Sequence, residues 1–132
     1  MGARALYEEA LMLTKRILPV EHPDIGMSLN NLAGLLDDQG DLTGARALFE
    51  ESLALMQRVL PSEHPDIATS LNNLAYLLQA QGELTKAREL YEEALAILEV
   101  SLPLNHPTTA IVRENLNGLI MEIEDRTDAD ST

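Results

Sequence analysis

The sequence repeats itself every 42 residues, and this period limits the possible folds more than any other feature. His22-Pro23, His64-Pro65 and His106-Pro107 recur at that spacing. So do Pro19, Pro61 and Pro103, Asn31, Asn73 and Asn115, and Leu6, Leu48 and Leu90. Aligning 19–60 with 61–102 leaves 26 of 42 positions identical. A fixed period of about 20–50 residues indicates stacked supersecondary units, none of which buries its apolar face alone.

Each unit reads as two helices. Ile25, Leu29, Leu32, Ala33 and Leu36 fall at the i, i+3, i+4 positions of an amphipathic helix. Gly40 follows and suits the left-handed residue that ends a helix. Thr43 is the expected N-cap of the next helix. Ala45, Leu48, Phe49, Ser52, Leu53 and Met56 share one face of it. It stops near Leu60-Pro61, because proline disfavours helical geometry in the preceding residue. Pro65 then suits the first turn of the following helix. The expected helices are 3–18, 23–38, 43–60, 65–80, 85–102 and 107–123. The polar, acidic tail 124–132 is expected to be disordered.

Leu29-Asn30-Asn31-Leu32-Ala33, Gln39-Gly40, Ala45, Phe49 and Leu53 resemble a tetratricopeptide (TPR) repeat. The ordinary repeat has about 34 residues. The longer period here, with Glu21-His22-Pro23-Asp24 opening the unit, resembles the repeats of kinesin light chains. The resemblance covers residues 3–123 and implies an all-α, right-handed superhelical solenoid of antiparallel helix pairs. It also implies a non-catalytic protein-binding role, with the first helices lining a concave surface that takes extended peptides.

The phase of the chain predicts an orphan second helix at 3–18, full units at 23–60 and 65–102, and an orphan first helix at 107–123. Leu6, Tyr7, Ala10, Leu11 and Ile17 match buried positions of later repeats, with no preceding helix to cover them fully. This suggests a piece of a longer array, or ends that find partners. Arg113 stands where Leu is expected and Asn117 where Ala is expected. A natural terminal repeat degrades in this way, whereas a designed consensus does not.

Composition excludes several functions. Nine Lys and Arg against 22 Asp and Glu give a net charge of −13, whereas nucleic acid needs a positive footprint. The same balance argues against anionic membranes. Cysteine is absent, which removes disulfides and thiolate chemistry. No apolar run approaches the roughly 20 residues of a membrane span. The N-terminus lacks a signal-peptide pattern, and a cytoplasmic location is expected.

Candidate chemical groups read as structural. Equivalent histidines in stacked repeats stand at helix-packing distances of about 8–10 Å or more, whereas metal–nitrogen bonds are about 2 Å. The histidines therefore position helix starts. Glu8-Glu9, Glu50-Glu51 and Glu92-Glu93 recur at one place, which implies a solvated outer face. Asp37-Asp38 is a fourth carboxylate pair. Tyr7, Phe49 and Tyr91 recur at an apolar position and are expected in the core. The glycines are isolated, so no phosphate loop exists, and no nucleophile constellation is found. No enzyme activity, cofactor or metal is expected.

The Asn pairs are the best binding candidates, because a carboxamide both donates and accepts and can pair with any peptide backbone. By the resemblance, the concave face includes Met27, Asn30, Asn31, Gly34, Asp37 and Asp38. The second unit offers Thr69, Asn72, Asn73, Tyr76, Gln79 and Ala80. The third offers Ile111, Glu114, Asn115, Gly118 and Glu122. Alternatively, Asn31 and its equivalents only hold the stack. This face carries no Lys or Arg, so it lacks the clamp with which chaperone-binding TPR domains grip a terminal carboxylate. A neutral or basic peptide is the expected partner. The rival readings are a self-assembly element that uses its terminal helices, with homo-oligomers as the outcome, and a regulatory array of a larger protein.

Overall fold

The computed structural model describes residues 2–17 and 22–130, apart from the side chains of residues 17, 129 and 130. Pro19, Glu21 and the side chain of Ile17 lie outside it. The described residues form six helices and no strand: α1 (Ala3–Ile17), α2 (Pro23–Asp38), α3 (Leu42–Val59), α4 (Pro65–Ala80), α5 (Leu84–Ser101) and α6 (Pro107–Asp130). Each helix packs on its neighbour in sequence, and α4 also touches α6. The chain is thus a row of helix pairs, α2 with α3 and α4 with α5, flanked by α1 and α6.

The repeated motifs set the helix limits. His22 and His64 are N-caps whose Nδ1 atoms accept from the backbone N–H groups of Asp24 (3.1 Å) and Asp66 (3.0 Å). His106 accepts from Thr108 in the same way. Each satisfies a helix-start donor that otherwise lacks a partner. At the other end of α2 and α4, Gly40 and Gly82 both take φ +84°. That conformation lets Asp41 N–H reach Leu36 O, and Glu83 N–H reach Leu78 O. Both turns close as glycine-based C-caps.

Two boundaries differ from the expectation. Asp41, not Thr43, caps α3, with Oδ1 accepting from Gly44 N–H at 2.9 Å. A carboxylate there also complements the positive end of the helix. α6 does not stop near 123 but continues through Asp130, over most of the stretch whose composition suggested a disordered tail.

The core is built from Leu and Ala. Ala33, Ala45, Ala75 and Ala87 are fully buried where paired helices approach, and Tyr91, Leu71, Leu78 and Leu98 fill the space around them. Small residues at these positions let the backbones close while larger neighbours interdigitate. A second cluster joins Leu11 to Ile25, Leu29, Leu32 and Leu55. Leu11 is therefore buried, contrary to the expectation that it is only partly covered, because α2 itself covers that side of α1. Leu6 (65% exposed), Tyr7, Met12 and Leu13 remain open. On α6, Arg113 and Asn117 face solvent, and Arg113 lies 4.0 Å from Glu99.

The outer face repeats as well. Arg4–Glu8, Arg46–Glu50 and Arg88–Glu92 are i, i+4 ion pairs at 3.0, 2.9 and 3.2 Å. Arg46 also reaches Gln81 and Glu83 of the next unit. The recurring glutamates thus lie on a solvated face. Such pairs are worth about 0.3–0.5 kcal/mol each on a helix.

Candidate functional site

The face formed by α2, α4 and α6 is not flat. Side chains at i, i+3, i+4 and i+7 of α2 and α4 point the same way, so the helix period gathers the Asn pairs and the residues one and two turns on. Asn30, Asn31, Asp37, Asp38, Asn72, Asn73 and Tyr76 all line one open cleft of about 410 Å³. Gly34 and Leu35 lie in the same wall, with Tyr7 from α1 and Phe49 from α3. Seven of the ten expected site residues therefore meet at one place.

This cleft continues in both directions. A smaller hollow of about 180 Å³ shares Asn30, Asn31 and Asn73 with it and adds Met27, Thr69 and Asp66. A third of about 430 Å³ begins at Tyr76 and takes in Gln79, Ala80, Glu122 and Arg126. Tyr76 is 58% exposed and stands between the two larger clefts. Gly34 and Gly118 hold the equivalent positions one unit before and after it.

The Asn residues divide into two groups. Asn30 Nδ2 donates to Ser70 Oγ at 3.2 Å, and Asn115 Nδ2 donates to Asn72 Oδ1 at 3.1 Å. These bonds cross from one unit to the next and help hold the stack. Asn31 and Asn73, equivalent to Asn115, make no such bond among the described residues. Their carboxamides line the first cleft. Asn30 keeps an unused acceptor, because its Oδ1 is enclosed without a donor among the described residues.

Gln79 is fixed from both sides. Tyr91 donates its hydroxyl to Gln79 Oε1 at 3.3 Å, and Gln79 Nε2 donates to Glu122 Oε2 at 3.4 Å. Burial pushes the Tyr91 hydroxyl up to about 12, with a smaller push from Tyr76. The fixed carboxamide presents a defined edge to the second cleft.

The remaining expected residues do not join. Glu114 is exposed and lines neither larger cleft, and Asn115 is engaged by Asn72. Several lining residues lie outside the expected set, among them Tyr7, Phe49 and Arg126. Tyr7 shares the apolar repeat position of Phe49 and Tyr91, yet it is 42% exposed, in line with the expectation that no preceding helix covers it fully. Phe49 does lie in the core, and its edge also reaches the cleft. Arg126 corrects the expectation of a face without cations. It sits past the expected end of α6 and pairs with Glu122 at 3.7 Å. The first cleft keeps its negative character, with Asp37 and Asp38 as its only charged residues among those described.

Comparison with known proteins follows the same outline. A family model described as a tetratricopeptide repeat matches residues 2–58, 24–100 and 66–116. A structure from Podosopora anserina, described as a kinesin light chain with nearly identical TPR-like repeats, is 31% identical with a TM-score of 0.80. The match covers 91% of this chain and 60% of that one. A point variant of the same protein matches at 30% identity and TM-score 0.80, covering 91% and 59%. BtubC (BKLC) from P. vanneervenii is 23% identical with a TM-score of 0.82, covering 98% and 52%, and is alike in fold. The chain thus spans between about half and three-fifths of these structures. No curated protein matches it.

Proposed function

We propose that this chain, which belongs to the tetratricopeptide repeat family, is a non-catalytic module that binds an extended segment of a protein partner along α2, α4 and α6. Repeats of this family generally mediate protein–protein interaction. The observation that carries the finer reading is the convergence of Asn31, Asn73 and Tyr76 on one continuous row of clefts. Carboxamides one repeat apart can hold successive peptide groups of one strand, and an exposed ring adds apolar contact. No helix of the described residues is long and apolar enough to cross a membrane. A cytoplasmic scaffold fits these features.

The test is a display selection of random peptides, followed by anisotropy titration of the selected sequence. Asn73→Ala and Tyr76→Ala should weaken binding while circular dichroism stays unchanged. Glu8→Gln, on the outer face, should bind like wild type. Groove variants that retain full affinity while outer-face variants lose it would remove the reading.

A second reading, self-association, is supported by α1. Leu6, Met12 and Leu13 are exposed on it, and exposed apolar patches commonly mark interfaces. The occupant would be a second copy. Sedimentation over a range of concentrations tests this: Leu6→Glu with Leu13→Glu should abolish any association. A wild type that stays monomeric at high concentration rejects it.

A further inference from the structure

The first cleft has walls of unusual composition for a peptide groove. We propose that the space between Tyr7 and Tyr76 is a pocket for an arginine side chain of the bound peptide. This rests on the groove reading above and adds the class of side chain that the groove selects.

Four observations support it. Among the described residues Asp37 and Asp38 are the only charged ones in the wall, and Asn31 and Asn73 add carboxamides whose oxygens can accept. A guanidinium offers five N–H donors and no acceptor, so it suits a wall rich in acceptors. Tyr7 and Tyr76 both expose their rings there, and a delocalised cation is attracted to an aromatic face. Asn30 also lines this cleft, and its Oδ1 lacks a donor among the described residues, which adds to the excess of acceptors there.

The fourth observation is the empty position at Gly34. The next unit places Tyr76 there, whereas a Cβ built on Gly34 meets nothing within 4 Å. The missing side chain leaves room for a long, planar group. Lysine is a poorer fit, because a compact ammonium cannot span the carboxylates and the rings together.

Rejected ligands follow from the same chemistry. A glutamate or a terminal carboxylate would face Asp37 and Asp38 with no cation in the wall, and like charges across an interface oppose binding.

The experiment uses the full chain and an array of capped nonapeptides with one fixed central position. Arginine, lysine, citrulline and glutamate are compared there, in low and high salt. Arginine should bind about tenfold tighter than citrulline, the preference expected of one charge-assisted contact set. Asp37→Asn with Asp38→Asn should erase that preference. Gly34→Tyr should erase it too, while circular dichroism confirms that the helices remain. Equal binding of arginine, citrulline and glutamate would overturn the pocket. If such peptides still depend on Asn73 and Tyr76, the groove stands without its arginine pocket. If binding ignores Asn73 and Tyr76 as well, both readings fall.

Discussion

Asn115 donates its side-chain N–H to Asn72 Oδ1 across 3.1 Å, and so ties α6 to α4. One unit earlier the same job falls to Asn30 and Ser70. The difference has a local cause. Val112 stands where Ser70 stands in the preceding unit and has no hydroxyl, so Asn72 meets no such acceptor and instead receives from Asn115. Positions that look identical in the sequence thus divide between holding the stack and facing solvent.

Asn115→Ala should therefore lower stability, by about 0.5–1.5 kcal/mol for one net hydrogen bond. Asn31→Ala, at an equivalent but unbonded position, should cost less. Urea titrations of the two variants check the ranking. Equal losses would mean that the inter-unit bond contributes nothing.

Ala75 is fully buried where α4 meets α5. Ala75→Leu should overpack this contact and cost about 1–3 kcal/mol. The measurement is the denaturation midpoint. An unchanged midpoint would contradict the close approach of the two helices.

Gly82 takes φ +84° in the turn between α4 and α5. A left-handed conformation costs an L-residue about 1–2 kcal/mol. Space is not the obstacle, since a Cβ there meets nothing within 4 Å. Gly82→Ala should lower the melting temperature through backbone strain alone, and Gly82→Asn should recover part of the loss.

Stability should also fall in alkali. Burial raises the Tyr91 hydroxyl from 10.0 to about 12, so the folded state prefers the neutral phenol. The associated stability is fully present below pH 10 and is lost as pH rises through about 12. Tyr91→Phe should flatten that part of the pH profile. It should also cost about 0.5–1.5 kcal/mol near neutrality through the lost bond to Gln79. Melts at several alkaline pH values check both effects.

The helical pairs were legible because period, apolar spacing and punctuation agree at every unit. His22, His64 and His106 were read as residues that position helix starts, and their Nδ1 atoms do so. Thr43 and Asp41 are both good capping residues, and only local geometry decides at which of them α3 begins. The place of Tyr7 in the cleft wall was hidden, although its incomplete cover was not, because repeat arithmetic groups it with Phe49 and Tyr91. An environment depends on what packs from outside the unit, which the internal pattern does not record. Arg126 escaped for a simpler reason: an acidic, polar stretch was expected to be disordered, yet its backbone continues α6.

Tyr76 gives the row of clefts a landmark. Repeated units offer repeated subsites, so a chain lying across them could slide by one unit and find the same contacts again. Gly34 and Gly118 on either side present no ring, so a slide in either direction exchanges an aromatic wall for a gap. Slippage then costs contact energy, and a strand laid along this face has one best alignment instead of several of equal energy.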